Sequence, residues 1–221
     1  MAKLKLHRSQ ADALKLVARY AKRQRAESLR EIEHVLKMTN VPPALFEAAQ
    51  REIFQHARPA LHFHPDRPCQ NGKSAAQNLL ADGVYKSQFE TFMSAGSVSA
   101  HKGGLRYKRE KRLFHNAYNK WGVKAEYRPK YGALDLTLQA DGPSPRFGSC
   151  FFLLKSKTLK RCTFTYLDSF TFPKAKGTVC EFHMIFAALL MDLFQHRAAL
   201  GKKDVTVREF LESLLDNLSR P

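Results

Sequence analysis

The sequence predicts an α+β fold, because segments with helical periodicity lie at both ends of the chain and short strand-like segments lie between them. Apolar residues recur every three or four positions in the first 57 residues and again after residue 181. Residues 134–138 and 161–166 instead alternate with a period of two, which is typical of strands. Separate runs of helices and strands favour α+β over a doubly wound parallel sheet.

Residues 1–57 are predicted to form a helical N-terminal segment. Ser9 followed by Asp12 indicates the start of a first helix. Asn40 and the two prolines after Val41 end the helical pattern, and Pro43 stands where the first turn of a further helix begins.

Residues 58–221 are predicted to form the α+β core. Thr206 and Glu209 form a capping box that opens the last helix. The expected strands are residues 60–64, 134–138, 148–154 and 161–166, and the expected helices are residues 73–81, 113–121, 178–193 and 207–218, with residues 83–92 as a strand or an extended turn.

Length and composition exclude several classes of protein. A chain of 221 residues can bury roughly 70% of its unfolded surface, so it needs neither disulfides nor a metal to hold a core. It contains no run of about 20 apolar residues, so we expect no membrane span. No apolar signal-peptide core follows Met1, and the four cysteines lack metal-site spacing, so we expect reduced thiols in a cytosol.

The net charge is +17, from 37 basic and 20 acidic residues, and its densest block is residues 101–112, HKGGLRYKREKR. Such a charge informs about partners more than about fold. Three interpretations of the block stay open: a solvated loop, a surface for phosphate or nucleic acid, and a surface for an acidic protein.

His62, His64 and Asp66 alternate at the end of the first predicted strand. Alternate strand residues point to the same face, an arrangement that can hold a metal. Nothing elsewhere in the sequence supplies the remaining ligands, so we predict no metal site.

Arg67 closes the same run, and a guanidinium there can bind a diphosphate or a carboxylate with two parallel hydrogen bonds. The ordinary alternative is an exposed or salt-bridged arginine. The aromatic and hydroxyl residues of 85–99 can stack a flat ring and hydrogen-bond a ribose, although they also suit an edge strand.

Glu181 is the most prominent carboxylate of the second half. Thr178 and Glu181 have the spacing of a capping box, which favours a helix-start role for Glu181 over a catalytic one. Asp168 and Ser169 have the character of turn residues.

Five segments together resemble a bacterial family known as a domain of unknown function: HFHPDR (62–67), LADGVYKSQFET (80–91), RPKYGALDL (128–136), RFGSC (146–150) and CTFTYLDS (162–169). The resemblance runs from about Ser9 to the C-terminus. The family includes the CHART effectors, the CteC-homologous ADP-ribosyltransferases.

The resemblance implies transfer of ADP-ribose from NAD to a protein, with a ubiquitin threonine as the acceptor in the CHART branch. It implies a split, mixed β-sheet core of ADP-ribosyltransferase type. Arg67 and His64 then bind NAD, and Phe89 or Phe92 stacks on the nicotinamide. The predicted NAD-binding set is His64, Arg67, Ser87, Gln88, Phe89, Phe92 and Ser94.

The family pattern places a catalytic glutamate in a strand of Y-[IV]-E-A-Q type after a helix like residues 210–218, and this sequence ends at Pro221 before such a strand. Three interpretations follow: the chain is truncated, it is a degenerate member of the family, or Glu181 is the substitute carboxylate. In the first two cases we expect weak NAD binding and slow transfer of ADP-ribose.

The rival functions are a basic nucleic-acid-binding protein and a non-catalytic interaction module. The expected location is the bacterial cytoplasm, or a host cell if the protein is secreted as an effector.

Overall fold

The structure, a computed structural model, describes residues 5–94 and 97–219. Within these ranges the α-helices are α1 (Arg8–Arg23), α2 (Arg25–Met38), α3 (Pro43–His56), α4 (Ala75–Asp82), α5 (Gln88–Thr91), α6 (Leu105–Leu113), α7 (His183–His196) and α8 (Val207–Asn217). The strands are β1 (Arg58–Phe63), β2 (Met93–Ser94), β3 (Ser97–Val98), β4 (Ala133–Asp135), β5 (Cys150–Leu153), β6 (Thr163–Thr165) and β7 (Lys176–Thr178). Short 3-10 helices cover Ala125–Tyr127, Pro145–Phe147, Ser156–Arg161 and Ser169–Thr171.

The strands form three small sheets in the described residues. β1 lies between β4 and β5, β2 pairs with β3, and β6 pairs with β7. Every one of these pairings is antiparallel. The α+β class is therefore confirmed, whereas the prediction that the sheet is mixed is wrong, because no parallel pair occurs in the part of the chain that the structure describes.

The main hydrophobic core lies where the N-terminal helices meet the C-terminal ones. α2 packs against α7, and α3 packs against α8. Burial of a Leu- or Phe-sized side chain contributes about 1.5–3 kcal/mol, so these faces dominate the stability of the helices. Each of α7 and α8 buries an apolar face, as the recurrence of apolar residues after residue 181 predicts. The buried apolar residues of these two helices are Ile185, Phe186, Ala187, Leu189, Leu190, Leu193, Val207, Phe210, Leu211 and Leu214.

The N-terminal segment is joined to the rest of the chain by contacts as well as by sequence. α1 packs against β7, and the Tyr20 hydroxyl donates to the Lys174 carbonyl at 3.3 Å. Asp12 pairs with Lys120 at 2.7 Å. The division of the chain at residue 57 stays a prediction.

Four of the described helices, α1, α4, α5 and α8, begin with a side-chain capping box. The Thr206–Glu209 capping box is confirmed at the start of α8, and Pro43 stands in the first turn of α3. The predicted cap at Ser9 is two residues late, since His7 caps α1 and Gln10 completes its capping box.

The chain between residues 101 and 121 differs most from the sequence prediction. A helix over residues 113–121 is wrong, because α6 ends at Leu113 and is followed by turns in which His115 and Asn116 have φ of 49° and 68°. Gly104 instead caps the start of α6, where a Cβ would lie 2.5 Å from the Ser99 carbonyl oxygen. Residues 101–104 of the basic block therefore form a turn that leads into the helix, and residues 105–112 are helical.

Among the described residues, no helix combines the length and the apolar character that crossing a bilayer requires.

Candidate functional site

The end of β1 is fixed to a neighbouring loop by the ring of His62. The Ser144 backbone N–H donates to Nε2 at 3.2 Å, so Nδ1 carries the proton and donates to the Gly148 carbonyl at 2.9 Å. The Tyr85 hydroxyl donates to the His62 carbonyl at 3.0 Å, and burial raises the pKa of Tyr85. Both ring nitrogens of His62 are thus engaged with backbone, which leaves neither of them for a metal.

Gly148 allows the backbone of this loop to lie directly on β1. Its φ of 147° and ψ of 149° belong to a region that is essentially restricted to glycine. A Cβ at this position would lie 2.0 Å from the Phe63 carbonyl carbon and oxygen. The two segments 62–67 and 146–150 therefore meet at a contact that only glycine permits.

A buried ion pair lies at the centre of the second group of contacts. Glu110 of α6 has no exposed surface, and its Oε2 accepts from Arg128 at 2.5 Å. The Tyr131 hydroxyl donates to Oε1 at 3.2 Å. Burial raises the pKa of Glu110 to about 7, even though Arg128, Tyr131 and Arg106 favour the ionised form.

Four arginines in this region each lie over an aromatic ring. The distances from guanidinium carbon to ring centroid range from 3.3 to 4.6 Å, within the range of cation–π contacts. The pairs are Arg106 with Tyr131, Arg109 with Phe170, Arg128 with Phe89, and Arg146 with Phe147. We call these eight residues the arginine–aromatic band.

Asp168 connects the two arginine–ring pairs of the band whose rings are exposed. Its Oδ2 forms an ion pair with Arg146, and its Oδ1 accepts the Phe170 backbone N–H at 2.9 Å. As predicted, Asp168 is a turn residue, since it caps the 3-10 helix Ser169–Thr171. Phe147 and Phe170 are 44% and 47% exposed, so this end of the band faces solvent.

The predicted NAD-binding residues have different surroundings. Arg67 is exposed in the turn after β1, four residues beyond its last residue, and His64 is partly exposed beside it. Phe92 is 48% exposed. The described part of Ser94 is its backbone in β2; its side chain lies outside the described atoms.

Ser87, Gln88 and Phe89 belong to the start of α5 and are largely occupied by structural contacts. Ser87 caps the helix, and its hydroxyl donates to the Ala125 carbonyl at 2.7 Å. Phe89 is 8% exposed and lies under Arg128 at 3.9 Å. Gln88 has a buried Oε1 with no hydrogen-bond partner in the described residues. Of these three, only Gln88 keeps a polar atom available.

Glu181 does not cap a helix, so the capping-box prediction is wrong. α7 begins at His183, with Phe182 at the N-cap position and no side-chain cap. Thr178 is held extended in β7 by its pairing with Thr163 of β6, and Thr178 and Glu181 exchange backbone hydrogen bonds of 3.0 and 3.1 Å across a turn. The β-pairing therefore overrides the local capping signal.

The Glu181 carboxylate lies 3.8 Å from Arg25 and 4.0 Å from His183, and it is 12% exposed. Its Oε2 and the Nδ1 of His183 are buried and have no hydrogen-bond partner among the described residues. Burial and Arg25 lower the pKa of His183, while Glu181 raises it. No described contact joins Glu181 to Arg67, Ser87 or the arginine–aromatic band.

Glu181→Gln removes the negative charge that raises the pKa of His183, so that pKa is expected to fall further. An NMR titration of the histidine ring measures it. Thermal stability is expected to change by about 1 kcal/mol or less, since Arg25 is a half-exposed partner. Glu27→Gln, an exposed acid in the first turn of α2, is the control, and an unchanged His183 titration in Glu181→Gln would contradict the contact.

Sequence reasoning missed Arg109, Glu110, Arg146 and Asp168 as site residues. Arg106, Arg109 and Glu110 have the i, i+3, i+4 spacing of one helix face, which was the available signal. A block so rich in charge is normally solvated, and the buried partners of these residues come from segments far away in the chain.

Two surface depressions of about 260 and 450 Å³ lie elsewhere and contain no residue of the arginine–aromatic band. The larger is lined by Arg58, Lys155 and Lys157 among other residues.

A comparison with family models matches residues 58–221 to the family described as “Protein of unknown function (DUF3626)”. The matched range begins at the first residue of β1 and contains both His62 and the arginine–aromatic band. A comparison with curated proteins gives no match.

Proposed function

Because this chain belongs to the DUF3626 family of proteins of unknown function, we propose a function from its own residues: transfer of ADP-ribose from NAD to a protein side chain. Ubiquitin threonine is the proposed acceptor, after the CHART effectors that the sequence resembles. The proposed place of action is the bacterial cytoplasm or a host cell that receives the protein.

One observation carries the proposal: the five segments behind the resemblance are in contact with one another, although they are spread over residues 62–169. His62 bonds to Gly148, and Tyr85 bonds to His62. Phe89 stacks under Arg128, and Arg146 pairs with Asp168. Segments that meet on one region of a fold are expected to share a task, and binding one extended ligand is such a task.

The exposed residues of this region suit a dinucleotide substrate. Arg67 offers a free guanidinium fork for the diphosphate, with His64 beside it. The half-exposed ring of Phe92 can stack on nicotinamide. Ser87 and Phe89 act differently from the first prediction: they hold α5 and Arg128 in position and do not touch the substrate.

The proposed reaction needs a carboxylate, since breaking the nicotinamide–ribose bond builds positive charge on the ribose. A glutamate that accepts a hydrogen bond from the ribose 2′-hydroxyl stabilises this charge. Glu181 is the proposed residue, because its Oε2 lacks a hydrogen-bond partner in the described chain. Loss of NAD cleavage in Glu181→Gln with an unchanged melting curve supports this role, and retained cleavage refutes it.

Arg67→Ala is expected to weaken NAD binding by about 1.5–3 kcal/mol, the range for hydrogen bonds to charged groups. Isothermal titration calorimetry with NAD measures the change. Arg30→Ala, an exposed arginine on α2, is the matched control and is expected to bind NAD as the wild type does. Equal affinities of the wild type and Arg67→Ala would refute the assignment of Arg67. Transfer itself is tested with labelled NAD and ubiquitin.

A nucleic-acid-binding function is the second candidate, and the outer face of α6 favours it. Lys108, Lys111 and Arg112 are exposed there, next to Lys102, while Arg106 and Arg109 are buried. Phosphate contacts by such a face give an affinity that falls steeply with salt. Ubiquitin binding without NAD turnover would instead identify a non-catalytic interaction module.

A further inference from the structure

We propose that Arg109 and Arg146 form a binding site for a phosphate-class anion, such as a diphosphate, and that the Asp168 carboxylate holds the Arg146 half of this site when the anion is absent. The site lies at the solvent-facing end of the arginine–aromatic band. It is separate from Arg67, to which the proposed function assigns the NAD diphosphate.

Arg109 is a buried cation that contacts no counterion among residues 5–94 and 97–219. Its residue is 7% exposed, and its guanidinium lies 3.3 Å from the centroid of the Phe170 ring. The Nε atom is buried with no hydrogen-bond partner, and no carboxylate of the described chain lies within 4.0 Å of the side chain. Burial and the charge of Arg106 lower the pKa of Arg109. A desolvated guanidinium is costly to leave unpaired, so an incoming anion is favoured here.

Asp168 has the position of an internal substitute for that anion. Its negative charge raises the pKa of Arg109, and its Oδ2 pairs with Arg146. Its Oδ1 caps the Phe170 backbone N–H at 2.9 Å, which fixes the carboxylate next to the ring that Arg109 covers. Carboxylate and phosphate oxygens fit the same guanidinium fork, so one can replace the other.

Arg146 supplies the exposed half of the site. Its side chain is 64% exposed, whereas that of Asp168 is 31% exposed, and a surface ion pair of this kind is worth only about 0–1 kcal/mol. A phosphate-class anion carries more charge than Asp168, so it can take over Arg146 and approach Arg109 at the same time. The rings of Phe147 and Phe170 restrict the positions of the two guanidinium groups.

Asp168→Asn tests the exchange cleanly, because an asparagine oxygen can still cap the Phe170 N–H while the competing charge is lost. We expect this variant of the full chain to bind inorganic diphosphate about fivefold more tightly than the wild type, in calorimetric titrations near 0.15 M salt. Arg109→Met and Arg146→Ala are expected to weaken binding at least about tenfold. Arg146 is exposed, so its variant stays informative if Arg109→Met fails to fold.

Arg112→Met is the matched control. Arg112 also lies on α6 over a phenylalanine, Phe172 at 4.3 Å, but in the described part of the chain it forms no ion pair with Asp168. It is expected to bind diphosphate like the wild type. The proposal is overturned by equal affinities of the wild type and Asp168→Asn, by no diphosphate binding to either, or by an equal loss in Arg112→Met and Arg146→Ala.

The link to NAD rests on the proposed function, and the site itself does not. The same variants titrated with NAD separate the two ideas. Parallel changes for NAD and diphosphate assign the site to the dinucleotide. Changes for diphosphate alone support the anion site and count against its use by NAD.

Discussion

Glu110→Ala is expected to lower the free energy of unfolding by about 3–5 kcal/mol at pH 8, the cost of breaking a buried ion pair by removing one partner. Arg128 is 6% exposed and would remain buried without its carboxylate. The Tyr131 hydroxyl would lose its acceptor as well. Urea denaturation followed by circular dichroism measures the change.

The double variant Glu110→Leu/Arg128→Met is expected to be more stable than Glu110→Ala, because it leaves no unpaired charge behind. Glu212→Ala removes an exposed partner of Arg208 and should cost no more than about 1 kcal/mol. A Glu110→Ala cost as small as that of Glu212→Ala would show that Glu110 does not organise the band.

The same carboxyl gives a dependence of stability on pH. The pKa of Glu110 in the folded protein is raised from 4.5 to about 7, so the unfolded chain releases this proton first. The contribution of protonated Glu110 to the free energy of unfolding is fully present below pH 4.5. It is lost as the pH rises through 7, where the folded protein also releases the proton. The glutamine of Glu110→Gln does not titrate in this range. The difference in unfolding free energy between wild type and variant is therefore expected to change between pH 4.5 and 7 and to stay constant above it. A constant difference throughout would contradict the raised pKa.

Gly148→Ala is expected to lower the free energy of unfolding by about 3–5 kcal/mol, as overpacking and backbone strain add together. The new Cβ would lie 2.0 Å from the Phe63 carbonyl, and backbone atoms cannot move aside as a flexible side chain can. The junction of β1 with the loop that carries Arg146 should open, so binding of NAD and of diphosphate should weaken together.

Gly122→Ala provides the matched control. Gly122 has φ of 80°, but nothing lies within 4 Å of the position of its Cβ, so only the left-handed strain of about 1 kcal/mol is expected. If the two variants were equally stable, the close approach of residues 148 and 63 would be disproved.

Helices with a continuous apolar face could be predicted from the sequence, since burial of that face decides their formation. α7 and α8 bury the predicted residues, such as Phe186 and Leu214, and local signals mark the start of α8 at Thr206 and of α3 at Pro43. The four strands predicted over residues 60–64, 134–138, 148–154 and 161–166 also occur, although β4 and β6 are shorter than the alternating segments. The prediction of a strand or extended turn over residues 83–92 is wrong at its end, because Gln88–Thr91 form α5 behind the Ser87 cap.

The candidate site could be predicted only in part. The segments that carry the resemblance contact one another, and Arg67 and Phe92 are exposed, while their role in binding NAD stays a prediction. Ser87 was assigned to a ligand, but its hydroxyl bonds to the backbone of Ala125, which is 38 residues away and has no local signal.

By itself, the sequence determined the α+β class, the apolar faces of the terminal helices and the segments that bear the polar chemistry, because these depend on periodicity and on neighbouring residues. Only the tertiary structure decided that Glu181 lies in a turn and not in a helix cap, because pairing with β6 holds Thr178 extended. It also decided that Arg109 and Glu110 are buried. The energy of a buried charge depends on partners such as Arg128 and Phe170, and folding alone brings those partners within contact distance.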